Sequence, residues 1–300
     1  MDFLGSALGH AWFGVTVAIC LGLAVGSFAN VVIYRSPRDG LSSFRPARSF
    51  CPSCRNQIAW FDNLPVLSWM LLRARCRACR TPISLRYPAV ELLVGALYVG
   101  AWMLIRPTDA DGAARLAVAW YLAATCVIVT LIDLEHLIIP DSITWPGMLL
   151  GLLAALAFPA LHATHPGFKP DSPHGSALMA SLFGLLAGGG SLMLVGMAGN
   201  IILKAKLKEA GVQDAMGWGD VKWMGLAGTF LGASSVMGAI LIGCFSGALV
   251  GVAMKVVARL RGQPQPLGLP FGPFLSVGIL VECALPGIAW SLLEQITRPA

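Results

Sequence analysis

Two aspartates in an apolar chain have the surroundings expected of reacting groups. Asp220 lies in the short polar segment 217–222 (GWGDVK), and Asp133 follows the apolar run 125–132. A charged side chain in the hydrocarbon region of a bilayer costs about 2.5–3.5 kcal/mol on insertion scales. Two such carboxylates on one face can share a proton, so that one accepts a proton from water while the other donates to a scissile carbonyl. This pattern predicts an aspartic dyad of Asp133 and Asp220.

A helix-capping role for Asp220 remains an alternative, because this residue also begins an apolar run. Gly217 and Gly219, just before it, allow backbone or substrate to approach closely, and Lys222 adds a charge two residues on. These neighbours favour a functional role. Asp133 cannot be an N-cap, because it ends a helix, where its charge opposes the helix dipole.

Two further polar residues follow Asp133 within eight positions of the sequence. Asp141 follows Pro140 and precedes an apolar run, so we interpret it as the N-cap of the next helix. His136 lies between Asp133 and Asp141 and is interpreted as an interfacial polar residue, with a catalytic or ligand role left open.

Four cysteines have the spacing of a metal site. Cys51 and Cys54 form one CxxC pair, Cys76 and Cys79 form another, and 21 residues separate the pairs. This is close to the spacing of a four-cysteine zinc site, in which four thiolates close a tetrahedron and zinc is structural. Two disulfides or free thiols are the alternative, which a cytoplasmic location disfavours. Five nearby arginines would offset the thiolate charge: Arg55, Arg73, Arg75, Arg77 and Arg80.

The elements that position these residues are membrane helices. Of the 300 residues, 56% are hydrophobic and 12% are charged, whereas a soluble domain carries about 25% charged residues. The sequence therefore predicts an all-α polytopic membrane protein. Its net charge of +6 follows from the positive-inside rule and does not require a nucleic-acid partner. No secretory signal peptide is evident, and the first apolar run is interpreted as a retained transmembrane helix.

The apolar runs predict eight transmembrane helices around one small extramembrane loop domain. We divide the chain into a first helix (1–34), a four-cysteine loop domain (35–86) and a helical peptidase core (87–300). The loop domain holds ten arginines and two acids, which places it in the cytoplasm. Segments 134–142, 204–219 and 258–271 are then also cytoplasmic, and both termini are outside. The eight predicted spans are 8–34, 88–105, 115–133, 143–161, 176–203, 220–233, 236–257 and 272–293.

Several motifs, in this order, closely resemble the bacterial type IV prepilin peptidases, also called prepilin leader peptidase/N-methyltransferases. The resemblance covers nearly the whole chain. The motifs that carry it are GSFANVVIYR (26–35), CPSC (51–54), DNLPVLSW (62–69), ISLRYPAVEL (83–92), IDLEHLIIPD (132–141), MGWGDVK (216–222) and PFGPF (270–274). GxGD alone is less specific, because presenilin-like proteases share it.

The resemblance implies both an activity and a set of partners. Asp133 and Asp220 match the two catalytic aspartates of the family, and the substrate would be a type IV prepilin or pseudopilin cut at the cytoplasmic face of the inner membrane. The enzyme would then methylate the new N-terminal amine with S-adenosylmethionine. No glycine-rich nucleotide loop is visible outside the spans, so Glu91 and the segment 62–69 are only candidates for the methyl-donor site.

Two other classes of function remain as alternatives. A proton-coupled transporter would explain Asp133 and Asp220, but neither the cysteine loop nor the GWGD segment. A non-catalytic assembly protein of a secretion machine would tolerate the loss of either aspartate. Leader removal from a prepilin distinguishes both from a peptidase.

Overall fold

The structure is a computed structural model that describes residues 2–38, 40–46, 48–164, 168–202, 204–205, 208, 214–262 and 269–297, with side chains from residue 12 onwards. Its regular elements in these ranges are helices, and β-pairing there is limited to isolated bridges. The all-α prediction is therefore confirmed. The helices are α1 (Asp2–Arg35), α2 (Leu67–Leu71), α3 (Arg86–Ile105), α4 (Ala110–His136), α5 (Asp141–Ala157), α6 (Pro173–Leu185), α7 (Ser191–Ile202), α8 (Trp218–Leu260), α9 (Gly272–Ala284) and α10 (Ile288–Thr297).

Five helical segments in the described ranges are long and apolar enough to cross a membrane. A sixth span is counted if α9 and α10, which are bent by 90°, form one span. The predicted count of eight is not confirmed. The predicted spans 220–233 and 236–257 correspond to the two parts of α8, which are separated by a kink with non-helical backbone at Gly232 (φ 75°, ψ 173°). The predicted span 143–161 falls on the 17-residue helix α5.

The chain divides into two compact units, residues 1–128 and 129–300. In the first unit, α1 packs against α3 through small residues. A Cβ on Gly22 would lie 2.8 Å from the Cα of Gly95, and a Cβ on Gly26 would lie 2.7 Å from the Cα of Glu91. The Asn30 amide donates a hydrogen bond across this interface to the Tyr87 carbonyl at 3.0 Å. Small residues with one amide at the end of α1 are thus used for close helix packing.

The polar loop between α1 and α3 is organised around its own backbone. Arg35, which is buried at the end of α1, donates hydrogen bonds to several loop carbonyls, including those of Pro46 at 2.7 Å and Arg48 at 3.1 Å. Short elements then follow, namely a 3₁₀ turn at Trp60–Asn63 and helix α2. Such a loop has little apolar core and therefore needs another source of stability.

In the second unit, α8 is the central helix and packs against α5, α6 and α9. Its buried side chains include Trp223, Met224 and Leu226. A π-helical segment, Leu186–Gly190, joins α6 to α7 and lies against α8, where a Cβ on Gly188 would be 2.2 Å from the Met224 carbonyl oxygen. This close approach brings the first turns of α8 into a tightly packed setting.

Parts of two segments predicted to be cytoplasmic lie outside the described residues, namely 209–213 and 263–268. Lys206, which belongs to the predicted cytoplasmic segment 204–219, also lies outside the described residues.

Candidate functional site

Asp133 lies in the last turn of α4 and its side chain is buried, with 6% exposed. Its Oδ2 accepts a hydrogen bond of 2.8 Å from the backbone N–H of Gly272, the first residue of α9. The first N–H groups of a helix have no partner within the helix, and the helix dipole favours a negative charge there. The beginning of α9 therefore compensates for the unfavourable position of Asp133 at the end of α4.

Asp220 lies in the first turn of α8 and is half-buried. The N-cap of that helix is Gly217, so the alternative of Asp220 as the N-cap is wrong. Asp220 and Asp133 are close enough to interact electrostatically. The structure thus places the two carboxylates predicted to form a dyad within electrostatic range of each other, one at the end of α4 and one at the beginning of α8.

Glycines allow the backbone segments around these acids to approach closely. A Cβ on Gly272 would lie 2.8 Å from Oδ2 of Asp133, and a Cβ on Gly219 would lie 3.0 Å from the Cβ of Ile139. The backbone of the GWGD segment therefore packs closely against the connection between α4 and α5, as its glycines predict. The hydrogen bond from Gly272 was missed by sequence reasoning, because the segment 270–274 has no ionisable side chain that would indicate it.

The prediction that Asp141 caps α5 is wrong. Pro140 occupies the N-cap, and Asp141 instead forms an ion pair with Lys222 of α8. Lys222 therefore joins the beginning of α5 to the beginning of α8, two residues from Asp220. His136 is exposed in the last turn of α4, as expected for an interfacial residue, with its Nε2 3.9 Å from a carboxylate oxygen of Glu135.

The four predicted cysteines form one cluster in the first unit. The Sγ atoms of Cys51, Cys54, Cys76 and Cys79 all lie within 4.8 Å of one another. A tetrahedral zinc ion with Zn–S bonds of about 2.3 Å requires sulfur atoms about 3.8 Å apart. The Cys51 and Cys79 sulfurs are 3.9 Å apart, so the donor set fits zinc.

The two cysteine pairs are held by the same backbone arrangement. In the first, the N–H of Cys51 donates to the Asn56 carbonyl at 2.9 Å, and in the second, the N–H of Cys76 donates to the Thr81 carbonyl at 2.9 Å. The residue after each pair has a positive φ, 61° at Arg55 and 60° at Arg80. Each pair therefore sits in a tight turn that directs two sulfurs to one point.

The electrostatics of the cluster also suit a metal ion. Hydrogen bonds with Thr81 lower the pKa of the Cys79 thiol to about 6, which favours the thiolate. A hydrogen bond from the Asn56 amide lowers the pKa of Cys54, but burial and the neighbouring thiols outweigh it and raise that pKa to about 11. Four thiolates at this distance repel one another, and a divalent cation removes that repulsion.

The two candidate regions for a methyl-donor site lie together. Glu91 and most residues of the segment 62–69 line one cavity of about 650 Å³ in the first unit. Asp62, in that segment, forms a two-fold hydrogen bond with the Arg77 guanidinium, which holds the pKa of its carboxyl below the usual value.

Comparisons with known proteins cover both units. A family described as the Bacterial Peptidase A24 N-terminal domain matches residues 20–105, and the Type IV leader peptidase family matches residues 120–252. A Prepilin leader peptidase/N-methyltransferase of Myxococcus xanthus is 38% identical over 266 residues, which are 86% of this chain and 70% of that protein.

Two other relatives have similar coverage. A Prepilin leader peptidase/N-methyltransferase of Aeromonas hydrophila is 31% identical over 296 residues, 90% of each chain. A Type 4 prepilin-like proteins leader peptide-processing enzyme of Escherichia coli is 33% identical over 273 residues, 86% of this chain and 88% of that protein. No solved structure matches the chain.

Proposed function

The chain belongs to the prepilin leader peptidase/N-methyltransferase family, and from that premise we propose that it cleaves the leader peptide from type IV prepilins or pseudopilins and methylates the new N-terminal amine. The observation that carries the peptidase proposal is the placement of the buried Asp133 and the half-buried Asp220 at two helix ends within electrostatic range of each other. Neither the transporter nor the assembly-protein alternative requires this arrangement.

The two aspartates have different surroundings, which suggests their roles. Asp133 accepts a backbone N–H, and such a hydrogen bond stabilises an ionised carboxylate. We therefore assign Asp133 as the base that takes a proton from the attacking water. Asp220 donates its proton to the oxygen of the scissile carbonyl. When the C–N bond breaks, the proton held by Asp133 passes to the leaving nitrogen, and the carbonyl re-forms as its oxygen returns a proton to Asp220.

The cysteine cluster serves structure in this proposal. Cys51, Cys54, Cys76 and Cys79 would hold one zinc ion in a closed site, which stabilises a loop with little apolar core. S-adenosylmethionine would supply the methyl group for the second reaction. We further propose the division into segments 1–34, 35–86 and 87–300.

The arginine content of the loop supports its orientation. Ten arginines lie within residues 35–86, and basic loops of membrane proteins stay in the cytoplasm. The chain would therefore lie in the inner membrane with its loop domain and dyad on the cytoplasmic side, where it meets the basic leader of its substrate.

Leader cleavage by purified variants tests the peptidase assignment. Purified protein in detergent is incubated with a prepilin, and cleavage is followed for the wild type, Asp133→Asn and Asp220→Asn. Each variant should lose about a thousandfold or more in rate, because each carboxyl moves a proton in the reaction. Asp171→Asn, in an exposed loop, is the matched control and should cleave normally.

Two outcomes would reject the assignment. Normal cleavage by either dyad variant would show that its carboxyl is not needed. Failure of the wild type to cleave would favour one of the other two classes of function. An unchanged melting temperature of each purified variant in detergent shows that its helices are folded.

A further inference from the structure

The cavity in the first unit is built from the loop domain and from the helix ends next to it. It measures about 650 Å³, within the range of about 300–1,000 Å³ that is typical of small-molecule sites. Residues 49–53, 56–59 and 81–84 of the loop contribute to its wall, together with the end of α1 and the beginning of α3. It is therefore placed for a ligand that arrives from the aqueous phase.

Aromatic side chains make up part of the lining. Tyr34, Phe50, Trp69 and Tyr87 all face the cavity. Aromatic rings stack on planar heterocycles and attract cations over their faces. Arg38 already lies over the Tyr34 ring, and Arg35 and Arg55 lie over the Phe50 ring. Trp69 and Tyr87 are therefore the rings on which a purine-like ring would stack.

One buried acid, Glu91, faces the same cavity. Its side chain is 8% exposed, and its Oε2 accepts the backbone N–H of Val66 at 2.7 Å. Gly26 of α1 lets the Glu91 backbone approach closely, which fixes this acid at the cavity wall. Among the residues that the structure describes, ion pairs join Arg77 to Asp62, His136 to Glu135 and Lys222 to Asp141, and none includes Glu91. A buried carboxylate with no cationic partner is costly, and a cationic ligand would remove that cost.

The backbone that holds Glu91 is itself strained. Val66, whose N–H binds Glu91, has φ 60° and ψ −49°, which a β-branched residue rarely adopts. Strained residues of this kind are concentrated at ligand sites, where surrounding contacts hold them in place. Asp62, the other acid of the cavity, is already neutralised by Arg77, so Glu91 is the acid that is left for a ligand.

We propose that this cavity binds S-adenosylmethionine, with its adenine against the aromatic wall and its sulfonium near the Glu91 carboxylate. This assignment rests on the proposed methyltransferase function. It gives Glu91 a specific purpose, because S-adenosylhomocysteine, the product, has the same adenosine but no sulfonium charge. Glu91 therefore determines the preference for the methyl donor over the product.

Binding of the two ligands to the full-length protein tests the proposal. Dissociation constants of S-adenosylmethionine and S-adenosylhomocysteine are measured by calorimetry for the wild type, Glu91→Gln and the control Glu294→Gln. Glutamine keeps the acceptor for Val66 but loses the charge. We expect Glu91→Gln to weaken S-adenosylmethionine by about tenfold or more and S-adenosylhomocysteine much less. The exposed Glu294 should have no effect. An unchanged ratio of the two constants in Glu91→Gln would overturn the proposal.

A second measurement does not depend on the folding of a variant. Radioactive S-adenosylmethionine is cross-linked to the wild-type protein by ultraviolet light, and the labelled peptides are mapped. Label on peptides that contain residues 49–69 or 81–91 supports the cavity, and label confined to other peptides overturns it. Leader cleavage and methylation by the same wild-type sample are assayed in parallel. If that sample neither cleaves nor methylates the prepilin but label still lies in the cavity, the proposed function is rejected and the binding site is not.

Discussion

The cysteine cluster and the aspartate pair are built in opposite ways. Each half of the cluster is a six-residue turn closed by its own backbone hydrogen bonds, and the same turn is used twice. The aspartate pair depends on helix ends that are far apart in sequence, and Asp133 is held by a backbone amide 139 residues away. The first site is encoded locally, whereas the second exists only when several helices have packed.

This difference predicts how each site fails. A locally encoded site should be lost when one of its own ligands is removed, whatever happens elsewhere. An assembled site should be sensitive to small changes in the packing of its helices, even where the changed residue carries no functional group. Substitutions in each region can therefore test whether the two sites differ in this way.

The largest effect is expected from Cys51→Ser and Cys76→Ser. A serine hydroxyl is a poor ligand for zinc, so each variant should lose the bound metal, and residues 35–86 should become sensitive to protease. Metal content by mass spectrometry and limited proteolysis measure both. Cys244→Ser, on an exposed position of α8, should leave both unchanged. Full zinc occupancy in the Cys51 or Cys76 variant would reject the site.

A smaller loss is expected from Gly272→Ala, which tests the assembled site. The added methyl would lie 2.8 Å from Oδ2 of Asp133 and would displace that carboxylate from its amide donor. A displacement of about 1 Å can cost a hundredfold in rate, so leader cleavage should fall by about that factor while zinc content stays normal. The matched control is Gly190→Ala, since a Cβ there meets nothing within 4 Å. Wild-type cleavage by Gly272→Ala would show that the amide does not position Asp133.

The same difference explains what the sequence could predict. The spacing predicts both cysteine pairs, because their geometry is set within a few residues. The position of Asp133 at a helix end followed from the apolar run before it. The hydrogen bond from Gly272 could not be predicted, because a backbone amide is present at almost every position and only packing selects one.

The errors have the same origin. Pro140 and the apolar run are local signals that predict Asp141 as a cap, whereas its partner Lys222 lies 81 residues away. The count of spans was not confirmed because α5 has only 17 residues, whereas the predicted division between spans 220–233 and 236–257 lies next to the non-helical backbone at Gly232. Tertiary contacts decide such lengths and junctions, and sequence periodicity does not record them.

The smallest effect is expected from the Asp141–Lys222 pair, which joins two helix ends beside the dyad. Asp141 is 61% exposed and Lys222 is 22% exposed, so water and salt weaken their attraction. Asp141→Asn and Lys222→Gln should each slow leader cleavage by about two- to fivefold. The double variant should be no slower than either single variant, because one interaction is lost in all three. If Asp141→Asn instead abolished cleavage as fully as Asp220→Asn, Asp141 would be a reacting group. The assembled site would then contain three acids from three helix ends.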